Sequence, residues 1–351
     1  IMLSKILKFF LYKTDPEAAH KLAIKFIKNP LLRLNSCQTI NYENLCQKVF
    51  GMDFKSPIGL AAGFDKNAEI YNQILNLGFG FTEVGTITPK PQEGNPKPRV
   101  FRLIEDKAII NRLGFPNDGM DTVSNRIKYN LPKGICGINI GPNKDNATSS
   151  EDYILCFDKL CQLASYITIN ISSPNTPNLR SQHDDDKLTK LIDAIQGRRN
   201  ANKSSIPILL KISPDIEDEK IKNLCNILIE KNIDGIILTN TTVQNRKNLL
   251  SEFKLEKGGL SGAPINELSN EIIEKFYLIL GKNVPIIGAG GVSCGATAFE
   301  KIKSGATLLQ LYTSLVYEGP NVAKKINKEL SDLVKKSGYE KIEDAIGINC
   351  N

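Results

Sequence analysis

The sequence predicts an α/β protein: a (βα)8 TIM barrel behind an N-terminal two-helix extension. Three observations predict it. From Ile58 onward, short apolar runs alternate with amphipathic helical stretches eight times, the βαβ rhythm of a parallel sheet. Open doubly wound sheets use about five or six strands, so eight favour closure. The length of 351 residues suits one barrel plus a short extension rather than two comparable domains. Nearly every apolar run also ends in an amide, hydroxyl, lysine or glycine, where a barrel keeps its functional groups.

Composition sets the outer bounds. A 41% hydrophobic and 24% charged chain is an ordinary globular one, not a disordered one. No run approaches the roughly 20 apolar residues of a spanning helix. The formal charge is +7. Residues 1–36 hold seven Lys/Arg against Asp15 and Glu17, so +5 of it sits there and only +2 in the rest. A nucleic-acid protein would spread its basic surface more widely. The eight cysteines (37, 46, 136, 156, 161, 225, 294 and 350) form no CxxC and no framework, and read as reduced, scattered thiols. The opening residues do not read as a secretory signal peptide, so a reducing compartment is expected.

The elements follow in order. A first helix is expected over Leu3–Tyr12, with Leu3, Ile6, Leu7 and Phe10 on one face. Asp15-Pro16-Glu17 starts a second: Asp caps free N–H groups and Pro fits the first turn. Ala19, Leu22, Ala23, Phe26 and Ile27 keep helical spacing until Asn29-Pro30. The extension is therefore 1–36, followed by a polar linker over 37–47 and the barrel over 48–351. Val49–Phe54 reads as a hairpin capping the barrel bottom, and Arg99–Ile110 as a hairpin beside the top. The eight strands are Ile58–Leu60, Phe81–Gly85, Gly137–Ile140, Ile167–Ile171, Ile208–Ile212, Gly235–Thr239, Pro285–Ala289 and Leu308–Tyr312.

The strand ends carry the chemistry. Gly288–Gly291 after strand 7 and Tyr312-Thr313 after strand 8 match the phosphate site that recurs in this fold, where glycines let backbone N–H groups approach an anion. Gly258–Gly262 can add further amides. Lys66 and Lys211 enter a partly dry mouth, where a lysine calls for an anion. A flavin that becomes anionic on reduction is one such partner, and a substrate carboxylate another. Asn111, Asn139, Asn170, Asn175 and Asn240 suit a planar heterocycle with alternating carbonyl and N–H groups. Ser173 precedes Pro174 in a constrained turn. No GxSxG elbow surrounds it, which excludes an α/β-hydrolase. The chain has two histidines, so a Ser–His dyad would need His20 or His183. The alternative is a general base working through water, and a serine needs activation for that. His183 with Asp184, Asp185 and Asp186 reads as a solvated loop rather than a metal site, because no second ligand cluster accompanies it.

Taken together, Ala61-Ala62-Gly63-Phe64-Asp65-Lys66, Asn170-Ile171-Ser172-Ser173-Pro174-Asn175-Thr176-Pro177, Thr239-Asn240-Thr241-Thr242, Gly258–Gly262 and Gln310–Thr313 resemble the signature blocks of the dihydroorotate dehydrogenase family. The resemblance spans about Thr14 to residue 330. It implies an FMN-dependent (βα)8 barrel that oxidises dihydroorotate to orotate in pyrimidine biosynthesis. Ser173 would take the C5 proton while hydride leaves C6 for the flavin. Lys66, Asn111, Asn170, Asn175, Asn240 and Thr241 would bind the substrate. Ala62, Gly63, Thr86, Asn139, Asn170, Lys211, Thr239, Gly262, Gly291, Tyr312 and Thr313 would hold FMN.

A serine base and the helical pair, with its Asp15–His20 start, resemble the membrane-associated, quinone-reducing class. His20, Arg102 and Tyr312 would then line the quinone tunnel. The basic extension reads as a peripheral membrane foot, with lysines at anionic headgroups and Leu, Ile and Phe in the interface. A monomer is expected, with no metal and no nucleic acid. No Arg/Ser-rich transit peptide precedes the first helix, which favours the cytoplasmic face of a bacterial inner membrane over a mitochondrial membrane. Pro116, Pro142 and Asn178 depart from the family's usual residues and bear on loop geometry. The competing readings are a soluble fumarate- or NAD-linked enzyme and another FMN barrel, such as a tRNA dihydrouridine synthase.

Overall fold

Along a strand, residues i, i+2 and i+4 face the same side of the sheet. That alternation sorts this barrel into layers. The computed structural model describes residues 14–29, 41–175 and 185–350. The expected Leu3–Tyr12 helix, Cys37 and the 176–184 stretch with Asn178 and His183 lie outside the described residues.

The described chain opens with α1 (Pro16–Lys28). The Asp15 side chain accepts from Ala18 N at 2.8 Å, the cap that the sequence predicts. Next comes the hairpin β1 (Gln47–Val49) and β2 (Met52–Phe54). Phe50 and Gly51 both have positive φ at its turn, as a two-residue hairpin loop requires. Residues 41–47 of the expected linker are docked. Leu45 is fully buried, Asn44 pairs with Ser331, and Gln47 Nε2 donates to Thr307 O. Their polarity serves hydrogen bonds to the barrel rather than solvation.

The barrel strands are β3 (Ile58–Leu60), β4 (Phe81–Ile87), β7 (Ile135–Ile140), β8 (Tyr166–Asn170), β9 (Ile208–Ile212), β10 (Gly235–Leu238), β12 (Ile286–Ala289) and β13 (Leu308–Leu311). They close in the order β10-β12-β13-β3-β4-β7-β8-β9, every neighbouring pair parallel. All eight predicted strands are present, with ends shifted by at most two residues. Beside the top, β5 (Val100–Leu103) and β6 (Ala108–Asn111) form the expected hairpin. The glycine-rich segment Gly258–Gly262, expected to add amides, is mostly strand, β11 (Gly259–Gly262), antiparallel to β6. Its glycines are steric: a Cβ on Gly258 would lie 2.3 Å from Asn111 O. The helices are α2 (Tyr71–Leu75), α3 (Gly119–Tyr129), α4 (Glu151–Leu160), α5 (Asp185–Ala201), α6 (Asp218–Glu230), α7 (Asn266–Leu280), α8 (Gly295–Lys303), α9 (Thr313–Glu318) and α10 (Val322–Lys336).

Inside the barrel, Phe81, Tyr166, Leu209, Ile237, Ile287 and Leu308 form an apolar plug with Val49 and Phe54 from the bottom hairpin. Gly59 and Gly137 make room for it, since a Cβ there would lie 2.3 and 2.1 Å from the Phe81 and Tyr166 rings. The alternate residues, including Val84, Ile138, Ile167, Leu210 and Leu309, pack outward against the helices. Two residues further along five of these six inward rows the interior turns polar, at Glu83, Thr168, Lys211, Thr239 and Gln310; the row of Ile287 continues with Ala289.

Candidate active site

The polar layer above the plug is built around one carboxylate. Glu83 is fully buried, two residues after Phe81. It accepts from Asn139 Nδ2 (2.8 Å), Gln310 Nε2 (2.9 Å), Tyr166 OH (3.1 Å) and Thr168 Oγ1 (3.1 Å). Lys211, also buried, is two residues after Leu209. Burial lowers its pKa, and the Glu83 charge opposes that shift. Among the described residues the Lys211 ammonium has no hydrogen-bond partner. The Glu83 layer thus supplies a negative floor beneath a cation that is still without a direct acceptor.

Above this floor the strand ends form a chain of amides and hydroxyls. Thr86 Oγ1 donates to Asn139 Oδ1 at 2.6 Å and accepts from Asn170 Nδ2 at 3.0 Å. Asn240 Nδ2 bridges Asn170 Oδ1 (3.2 Å) and Ser172 Oγ (3.0 Å). Asn175 Nδ2 donates to Asn111 Oδ1 at 3.2 Å, and Asn175 N to Ser173 Oγ at 3.3 Å. Ser173 is buried in this ring. One cavity is lined by Ser173, Lys66, Lys211, Thr86, Thr239, Thr241 and four of the five predicted asparagines, 111, 170, 175 and 240. The fifth, Asn139, lies one layer below, where it orients Thr86.

The other end of this cavity is glycine-rich. Gly262, Gly290 and Gly291 line it with Ser261 and Thr313, whose hydroxyls lie 2.8 Å apart. Gly291 has φ +78°, and a Cβ there would lie 2.4 Å from Asn266. The backbone N–H groups of Gly290 and Gly291 have no backbone acceptor among the described residues. That donor set suits an anion such as a phosphate.

A second cavity opens beside the first, under α1. It is lined by Glu17, His20, Ile24, Phe64, Asp65, Arg99 and Pro116, and shares Lys66 and Tyr312 with the first. His20, Phe64 and Tyr312 stack edge to face, with centroids 4.9 and 5.8 Å apart. Burial, and then the Lys66 charge, lower the His20 pKa to about 3, so the imidazole is neutral. Burial lowers Lys66 to about 8, against the pull of Glu17 and Asp65. Arg102 is not among the lining residues; its guanidinium donates to Thr14 O at the start of the helix.

Comparison with known proteins agrees with this geometry. The dihydroorotate dehydrogenase family model matches residues 44–334. The chain is 46% identical over 338 residues to a dihydroorotate dehydrogenase (quinone) of Bartonella tribocorum, covering 95% of this chain and 93% of that protein. It is 44% identical over 350 residues to the protein of that name from Novosphingobium aromaticivorans, covering 97% and 98%. The crystal structure of an Eimeria tenella dihydroorotate dehydrogenase in complex with ferulenol superposes with a TM-score of 0.91 at 36% identity, over 98% of each chain. This chain belongs to the quinone-dependent dihydroorotate dehydrogenase family.

Within that family's frame, Ala62, Gly63, Thr86, Lys211, Thr239, Gly262, Gly291, Tyr312 and Thr313 all border the first cavity. The residues also fit the flavin that the family implies. Lys211 offers a donor without a partner, and the buried Gln310 Oε1 is an acceptor without one among the described residues. Both face the cavity whose far end presents the glycine amides. Sequence reasoning missed Glu83 as the organiser of the floor. Its signal was there: one carboxylate inside the apolar run Phe81–Ile87. It also missed the pairing of Glu17 with Arg99. Of the departures, Pro116 lines both cavities and Pro142 is buried just past β7.

Proposed function

We propose that this chain oxidises dihydroorotate to orotate in pyrimidine biosynthesis, using FMN and passing the electrons to a membrane quinone. The observation that carries the reading is the convergence on one cavity of the buried Ser173, Lys66, Lys211 and four asparagines, beside a second cavity that shares Lys66 and Tyr312. FMN, when bound, supplies hydride acceptance and electron transfer. Lys211 and the glycine amides would hold it, at its ring and its phosphate respectively. Lys66 pairs with the substrate carboxylate. Asn111, Asn170, Asn175, Asn240 and Thr241 read the pyrimidine edge. Ser173 takes the C5 proton and passes it to water as the C5–C6 double bond forms and hydride leaves C6.

The electron outlet is the second cavity, with His20 and Tyr312 on its wall; Arg102 is hydrogen-bonded instead to Thr14 O, just before α1. Among the described residues no helix is long and apolar enough to cross a membrane. On α1, Ile24 and Ile27 pack on the barrel while Leu22 (55%) and Phe26 (43%) are exposed beside Lys21, Lys25 and Lys28. That arrangement supports peripheral binding to an anionic surface; we extend this to a monomer at the cytoplasmic face of a bacterial inner membrane.

The test is the pair of half-reactions measured anaerobically. Dihydroorotate should bleach the flavin absorbance, and a quinone should restore it. Efficient reoxidation by fumarate in place of quinone would overturn the class, and no bleaching would overturn the substrate.

A further inference from the structure

Lys66 is the lysine that both cavities share, and among the described residues its ammonium has one polar partner. That partner is not a carboxylate. It is His20 Nε2, at 3.4 Å, contributed by a helix whose residues pack on the barrel from outside. The imidazole is itself held in place, edge-on to the Phe64 ring with centroids 4.9 Å apart. A neutral imidazole has one bare nitrogen, and with Nε2 in that role the ring accepts, as a lysine donor requires. Lys66 Nζ carries three protons. One directed at His20 fixes the ammonium's position and leaves the others for an anion in the first cavity.

We infer that His20 is a positioning residue for Lys66, so that α1 takes part in binding dihydroorotate as well as in the electron outlet. The inference rests on the reading above that Lys66 meets the substrate carboxylate. A lysine on a flexible stem loses rotamer freedom when it grips an anion. A neutral acceptor on the far side restrains it beforehand without adding an opposing charge. Glu17, Asp65 and Arg99 also act on Lys66 electrostatically. Of the nearby groups, only His20 makes a direct hydrogen bond to it among the described residues.

The test is calorimetric titration of orotate into the flavin-loaded enzyme without quinone, which reads binding apart from turnover. His20→Leu should weaken orotate about tenfold, the loss expected for one hydrogen bond to a charged group. His20→Gln, which keeps an acceptor at similar reach, should bind within about threefold of the unaltered enzyme. Dihydroorotate KM should rise in His20→Leu while the limiting rate of flavin reduction changes little. In a Lys66→Met background, His20→Leu should cause no further loss. Unchanged orotate binding in His20→Leu, or losses that multiply in the double variant, would overturn the inference. If Leu disturbs folding, His20→Ala serves the same comparison. Failure of the unaltered enzyme to bind orotate would instead overturn the reading of the cavity.

Discussion

Glu17 on α1 grips Arg99 through two hydrogen bonds: Arg99 Nη2 to Oε1 at 2.8 Å and Nε to Oε2 at 3.0 Å. Arg99 is largely buried and also donates to the Glu93 and Asn95 carbonyls (2.6 and 2.7 Å). The arginine is therefore fixed to the barrel, and the glutamate fixes the helix to the arginine. Bidentate pairing sets orientation as well as distance, which is what His20, one turn further along, requires.

Glu17→Gln should undock this helix rather than unfold the protein. The substitution removes the charge and leaves a buried guanidinium short of its partner, at a cost of about 1.5–3 kcal/mol. No residue of α1 is fully buried, so little else opposes release. Hydrogen exchange should rise over residues 16–28 and stay unchanged in the barrel strands. Equal protection in variant and parent would show that apolar contacts alone hold the helix.

The barrel was legible because each strand needs an apolar outward row, and eight such runs stand out from their amphipathic neighbours. The strand-end residues were legible for a related reason: an asparagine or lysine directly after an apolar run has few structural uses. What stayed hidden were partnerships set by distant chain segments. Glu83 collects donors from β7, β8 and β13, and the sequence offers only its odd place in an apolar strand. Lys66 and His20 are 46 positions apart, and nothing in either local pattern marks their contact. The strand at Gly259–Gly262 stayed hidden as well, because glycine depresses strand propensity; its pairing with β6 and the close approach to the Asn111 backbone override that.

Ser173→Ala should slow flavin reduction by dihydroorotate by about 10²–10⁴-fold, the usual contribution of a positioned general base. Flavin content should be unchanged. The Ser173 hydroxyl accepts only a 3.3 Å bond from Asn175 N among the described residues, so its removal disturbs little else. Anaerobic stopped-flow absorbance reads both quantities. A rate near that of the parent would exclude Ser173 as the base.

Orotate affinity should fall as pH rises through about 8. Burial lowers Lys66 to about that value, so the free enzyme loses its ammonium above it. A bound carboxylate favours the charged form, which makes affinity proportional to the protonated fraction. The dissociation constant should be flat below the break and rise about tenfold per pH unit above it. Lys66→Met should bind weakly and show no break there. A parent profile that stays flat through pH 9 would mean that the lysine keeps its ordinary, higher pKa.

Lys301→Met should stabilise the protein. Lys301 on α8 is fully buried, and its ammonium donates to Ser269 Oγ (3.0 Å) and Asn270 Oδ1 (2.6 Å) with no ion pair among the described residues. Burial lowers its pKa to about 7. The folded value lies below the unfolded one near 10.4. As pH falls from about 10.4, the unfolded chain takes up the proton first and folding stability drops; the loss levels off below about 7. Methionine keeps the apolar stem that packs near Gly288 and removes the ammonium. Two hydrogen bonds are lost with it, so the net gain at pH 7 should be about 1–3 kcal/mol. Denaturant unfolding at pH 7 and pH 10 tests the sign twice. The variant should exceed the parent at pH 7, and the gap should narrow at pH 10. A variant weaker at pH 7 would mean that the two neutral acceptors satisfy the buried charge, and that Lys301 is a structural anchor for α7 rather than a tolerated cost.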